Sequence, residues 1–152
     1  MSDHFSDLLL DAIDAKGSPV CVGIDPVVER LPLDIRKQIG NDPCVNKLEA
    51  IYEYCSIVID AVADHVPAVK FQSACFERYR SEGMEDLFEL IMEAREHDLI
   101  VLLDAKRGDI GISSEHYADS CFSPEIIDDS LVDLMPTCCP HAITVNSYLG
   151  IS

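Results

Sequence analysis

Helical spacing alternates along this chain with short, predominantly apolar runs. "PVCVGI" (19–24), "PAVKF" (67–71), "LIVLLDAK" (99–106) and "HAITVN" (141–146) have strand length and predict four buried strands. The segments around them have helical periodicity. "FSDLLLDAIDAKG" has a serine near its start and Gly17 where a C-cap falls. Residues 44–64, "GMEDLFELIMEAREHD" (83–98) and "SSEHYADSCF" (113–122) predict three more helices. Residues 26–47 are the least regular stretch and read as a long first loop with a short helical turn. Strands separated by helices imply parallel crossovers, hence an α/β fold with both sheet faces covered.

Polar residues fall at the strand ends. Asp25 closes the first run, Lys70 stands near the end of the second, Asp104 and Lys106 end the third, and Asn146 ends the fourth. In parallel α/β folds the strand C-termini share one edge, where ligand sites form. Taken singly, an aspartate before proline is a turn former and a lysine in a strand snorkels. Their coincidence at four strand ends points to a site. Period two places Asp104 and Lys106 on the same strand face, and Asp109 follows a glycine that lets the chain turn. An ammonium flanked by carboxylates stays protonated while the carboxylates stay ionised. Such an array suits a reaction that builds negative charge on carbon and then delivers a proton to it.

Composition narrows the classes. With 28 Asp plus Glu against 11 Lys plus Arg, the net charge of −17 offers no basic footprint for nucleic acid. No apolar run reaches membrane-spanning length, and "MSDHFSDLLL" lacks a basic leader and a cleavage site, so no membrane partner is expected. The seven cysteines lie mostly in apolar segments without zinc-ribbon spacing, which suits the reducing cytoplasm. "CCPH" (138–141) is not read as a metal site, because adjacent cysteines chelate one tetrahedral ion poorly. Arg107-Gly108-Asp109 spells an adhesion tripeptide, but nothing else supports a secreted role.

"VLLDAKRGDIG" carries an Asp-x-Lys-x-x-Asp signature and closely resembles the bacterial type 2 branch of orotidine 5'-phosphate decarboxylase. "VCVGIDP", "AVKFQSACFE" and "ITVNSYLG" resemble that family's first, second and fourth strands, in order. The resemblance implies a (β/α)8 TIM barrel that makes UMP from orotidine 5'-phosphate without metal or organic cofactor. It implies that Lys106 donates the proton to C6, that Asp104 sits beside the departing carboxylate, and that Lys70 completes a Lys-Asp-Lys-Asp array and touches the ribose. It further implies that Asp25 binds a ribose hydroxyl and that Asp109 reaches across a homodimer interface into the neighbouring site. Asn146 either caps its strand or contacts the pyrimidine, and Ser113 either caps the next helix or bonds the substrate.

A barrel of this kind takes about 250 residues. The 152 residues are therefore expected to form one unit, the N-terminal half of a decarboxylase barrel with about the first four βα units and no second domain. Strands five to eight and a phosphate-gripping arginine would belong to the other half. Ser147 stands where the family has proline, and "MPTCCPH" is less regular than expected. Two functions follow: a decarboxylase acting through Lys106, or an inactive truncated half-barrel that keeps only a dimerisation or structural role.

Overall fold

The computed structural model describes residues 4–37, 39, 45–122 and 138–148. Helix α1 (Phe5–Lys16) starts at His4, whose ring accepts the Ser6 N–H, and stops at Gly17 with φ +62°. The serine near the start is thus not the cap; the residue before the helix is. Strand β1 (Cys21–Ile24) follows, then a 3-10 turn (Val28–Arg30) and the short α2 (Leu33–Arg36), which make the irregular region more helical than expected. Helix α3 (Val45–Val62) leads to β2 (Ala68–Gln72), α4 (Ala74–Glu77), α5 (Arg80–Glu96) and β3 (Ile100–Arg107). Helix α6 (Gly111–Phe122) and β4 (Ala142–Val145) complete the described elements. The four strands are parallel and lie in the order β1-β2-β3-β4. Among the described residues no helix is long and apolar enough to cross a membrane.

Period two divides the strands. Ile24, Val69, Phe71, Val101 and Leu103 are buried and pack with Ile51, Cys55 and Ile59 of α3 and with Leu87, Leu90, Ile91 and Ala94 of α5. The spacing on both helices is that of one apolar stripe, which the sheet covers. Each fully buried Ile, Leu or Phe contributes about 1.5–3 kcal/mol relative to exposure. Phe71 and Phe76 meet edge to face at 6.3 Å, joining β2 to α4.

The alternate face does not meet the expectation of a doubly covered sheet. Cys21 and Gly23 are exposed there, and Lys70, Gln72, Leu102 and Asp104 are only partly buried. The physical reason is that α3 and α5 both pack on the other face, and in the barrel that the resemblance implies an inward face is filled by strand side chains, not by helices. The apolar third run is therefore compatible with either arrangement, and only the packing distinguishes them.

Helix α5 begins three residues before the expected Gly83. A β-carbon on Gly83 would collide with the Phe76 carbonyl oxygen and come within 2.8 Å of Tyr79 Cβ. The glycine is there because α4 crosses α5 closely, not because the helix starts at it. Gly83→Ala should lower stability by about 1–3 kcal/mol despite alanine's better helix propensity, since a backbone oxygen cannot step aside. A denaturant midpoint at or above that of the parent would contradict this.

Candidate active site

The parallel order carries the C-terminal ends of all four strands to one edge. Register places Lys70 opposite Leu102 and Gln72 opposite Asp104, so β2 and β3 offer their polar residues to the same open face. Asp25 directly follows β1. The Lys70 Nζ lies 3.1 Å from Asp104 Oδ2 and 3.6 Å from Asp25 Oδ1, and the Lys106 Nζ lies 2.6 Å from Asp104 Oδ2. Four residues from three separate strand ends thus form a continuous chain of alternating charge: Asp25, Lys70, Asp104, Lys106.

Asp104 is its hub. Its side chain is only 12% exposed, against 63% for Lys106. Oδ2 accepts from Lys106, Lys70 and the Gln72 amide (3.2 Å), while Oδ1 accepts from the Thr144 hydroxyl at 2.6 Å. The Lys106 hydrogen bond, then those from Thr144 and Lys70, outweigh desolvation and hold this carboxyl well below the usual carboxylate range. Burial pulls Lys70 down, but the hydrogen bond it donates to Asp104 and the charges of Asp25 and Asp104 more than offset it and raise its pKa. Near neutral pH the hub is therefore an obligate anion held between ammonium groups.

Two of these partners, Gln72 and Thr144, were not singled out from sequence. Both leave a detectable signal: Gln72 lies two residues beyond Lys70 and Thr144 two before Asn146, so period two puts each on the face of a polar candidate residue. The strand itself departs from regularity where the chemistry sits. Leu103 pairs with Ile143 and Arg107 with Val145, so Asp104, Ala105 and Lys106 all bulge opposite Thr144 alone. Lys106 has φ +49°, a conformation that disfavours any residue with a β-carbon. Arg107 then turns away, held by Glu77 Oε1 at 2.7 Å and lying over the Tyr117 ring at 5.4 Å. Burial at Ser73 supports this anchor, since the Ser73 hydroxyl donates to the same Glu77 oxygen at 2.6 Å.

The remaining predicted residues stand apart. Asp109 Oδ1 accepts the Ile110 N–H at 2.8 Å, and Asn146 Oδ1 accepts the Tyr148 N–H at 3.0 Å. Ser113 is exposed in the first turn of α6, two residues past its start rather than at a cap. Among the described residues none of these three side chains bonds to the charged chain. Asn146 nevertheless packs close to the site loop, because a β-carbon on Gly108 would lie 2.8 Å from Asn146 Cβ.

His141, from the "CCPH" run, serves the fold. Its Nδ1 accepts the Val101 N–H at 2.9 Å, and its Nε2 lies 3.1 Å from an Arg95 guanidinium nitrogen. Because Nδ1 accepts a backbone N–H, an added proton would have to sit there, facing a donor. Burial, reinforced by the Arg95 charge, lowers its pKa to about 4. An unfolded chain would protonate near 6.5, so the folded state binds fewer protons between those values. Stability should therefore fall as pH drops from about 6.5 to about 4 and lose no more from this group below that. Denaturant midpoints across this range, compared with His141→Asn, check it: the variant should lack this part of the slope.

A family model described as "Orotidine 5'-phosphate decarboxylase / HUMPS family" matches residues 18–128. An orotidine 5'-phosphate decarboxylase of Rhodopirellula baltica is 38% identical over 146 residues, covering 96% of this chain and 46% of its own length. One from Caldicellulosiruptor saccharolyticus is 33% identical, with 97% and 48% covered. The solved structure of Leishmania donovani OMP decarboxylase superposes with a TM-score of 0.68 at 29% identity, covering 97% of this chain and 46% of that one. The chain spans about half the length of the curated relatives it matches.

Proposed function

Because the chain belongs to the orotidine 5'-phosphate decarboxylase / HUMPS family, with the fold of its TIM barrels, we propose that residues 1–152 are the N-terminal half of a barrel that converts orotidine 5'-phosphate to UMP and CO2. The observation that carries this reading is the hub: one carboxylate that cannot readily take a proton, next to an exposed ammonium 2.6 Å away.

In the proposed reaction the pyrimidine carboxylate lies beside Asp104, and like charge disfavours it there. The C6–carboxylate bond breaks, CO2 departs, and the electron pair remains on C6. Lys106 attracts that pair more strongly as it forms, then transfers its proton to C6, and solvent reprotonates the amine. An interaction that grows toward the transition state accelerates the step, whereas uniform binding does not. Asp104 does not compete for the proton, because its three other donors already favour its charged form. Lys70 and Asp25, at the end of the chain of charges opposite Lys106, would meet the ribose hydroxyls. No metal or organic cofactor takes part in this scheme.

Asp109, whose carboxylate is turned onto its own loop, would serve the neighbouring site of a homodimer, with Ser113 and Asn146 supplying further substrate contacts. A cytoplasmic location is part of the same reading. The test is conversion of orotidine 5'-phosphate to UMP and CO2, in the presence of a chelator, by these residues joined to the C-terminal half of a close relative. A folded, substrate-binding chimera that releases no CO2 would overturn the proposal in favour of a structural half-barrel.

A further inference from the structure

We infer that the Thr144 hydroxyl is the positioning group of the site, locking the Asp104 carboxylate and the Lys106 backbone into one unit. The ladder between β3 and β4 skips from Leu103–Ile143 to Arg107–Val145. Three residues on one strand therefore oppose one on the other, and regular pairing cannot satisfy the backbone groups of the bulge. Thr144 supplies what the ladder lacks. Its Oγ1 accepts the Lys106 N–H at 3.0 Å and donates to Asp104 Oδ1 at 2.6 Å.

A hydroxyl has a single proton to donate. With the Lys106 N–H occupying one of its lone pairs, that proton is directed at Asp104. The same atom thus holds Lys106 at φ +49° and fixes the rotation of the carboxylate that receives the Lys106 ammonium. The strained conformation is braced from the far side as well. Arg107 is tied to Glu77, and its carbonyl accepts the Asn146 N–H at 2.6 Å. Left-handed backbone in a residue with a β-carbon persists only where surrounding contacts over-determine it, and here those contacts converge on Lys106. The Gln72 side-chain amide, by comparison, donates to Asp104 Oδ2 at 3.2 Å.

Two substitutions separate the hydroxyl from the shape of the side chain. Thr144→Val keeps the volume and removes both bonds; Thr144→Ser keeps both bonds. In the 152-residue chain carrying 13C-carboxyl aspartate, with Asp104→Asn identifying the signal, Thr144→Val should shift the Asp104 titration upward toward the ordinary carboxylate range. The Lys106 amide should exchange faster in the same variant. Thr144→Ser should restore both. Because a merely structural threonine would not show rescue by serine, a serine variant that behaves like valine overturns the inference. So does a folded valine variant whose Asp104 titration and Lys106 exchange match the parent.

A second readout rests on the proposed decarboxylation. In the completed barrel Thr144→Val should lower kcat on the order of tenfold or more with KM little changed, since displacement of a reacting group acts on the chemical step. If no form of the protein releases CO2, that reading fails while the titration still decides the role of Thr144.

Discussion

Lys106→Ala, placed in a barrel completed with the C-terminal half of a close relative, is expected to lower CO2 release from orotidine 5'-phosphate by about 10²-fold or more. The size follows from what the ammonium does: among the described residues it is the most exposed of the groups that bond the hub carboxylate. Removing a preorganised charge from the place where carbanion charge develops costs far more than removing a surface ion pair. Asp104 would keep its bonds from Lys70, Gln72 and Thr144, so the local fold should survive the substitution. An unchanged melting curve together with lost CO2 release would assign the effect to chemistry. Ser113→Ala, on an exposed first turn, should only dent the rate. A Lys106→Ala chimera that still decarboxylates at the parent rate would remove Lys106 from the mechanism.

The second large effect concerns the phosphate. These 152 residues expressed by themselves should show no measurable decarboxylation, and joining them to the other half should restore it. The charged chain contains two ammonium groups and two carboxylates and is neutral overall, with both lysines engaged by aspartates. It has no surplus positive charge for a phosphate, and the net charge of −17 repels an anionic substrate at longer range. Binding energy from a remote phosphate helps offset distortion at the reacting carbon, so its loss should reduce kcat as well as affinity. Assays of CO2 release by the two proteins under identical conditions provide the measurement. Turnover by the 152 residues alone would mean that the array can act without a phosphate grip.

Asp25, Lys70, Asp104 and Lys106 are legible in the sequence, because charge at the end of an apolar run is costly unless compensated. Parallel order alone then brings such ends together, and the structure joins all four in ion pairs. Asp109, Ser113 and Asn146 lie on loops and a helix start, where local turn chemistry competes with the site for the same side chains. Their surroundings depend on contacts that spacing along one chain does not specify.

By itself the sequence determined the succession of helices and parallel strands, the stripes that α3 and α5 bury, and the face on which Asp104 and Lys106 lie. These are properties of periods 2 and 3.6, which are local. Tertiary structure decided that one sheet face is open, that Gly83 is a crossing point inside a helix, and that Thr144 faces a three-residue bulge. Each of these depends on how closely two remote segments approach and in what register. A bulge in particular shifts pairing without changing the alternation of polar and apolar residues that precedes it. The pattern could therefore place the lysine on the correct face, but only the neighbouring strand could hold its backbone at φ +49°.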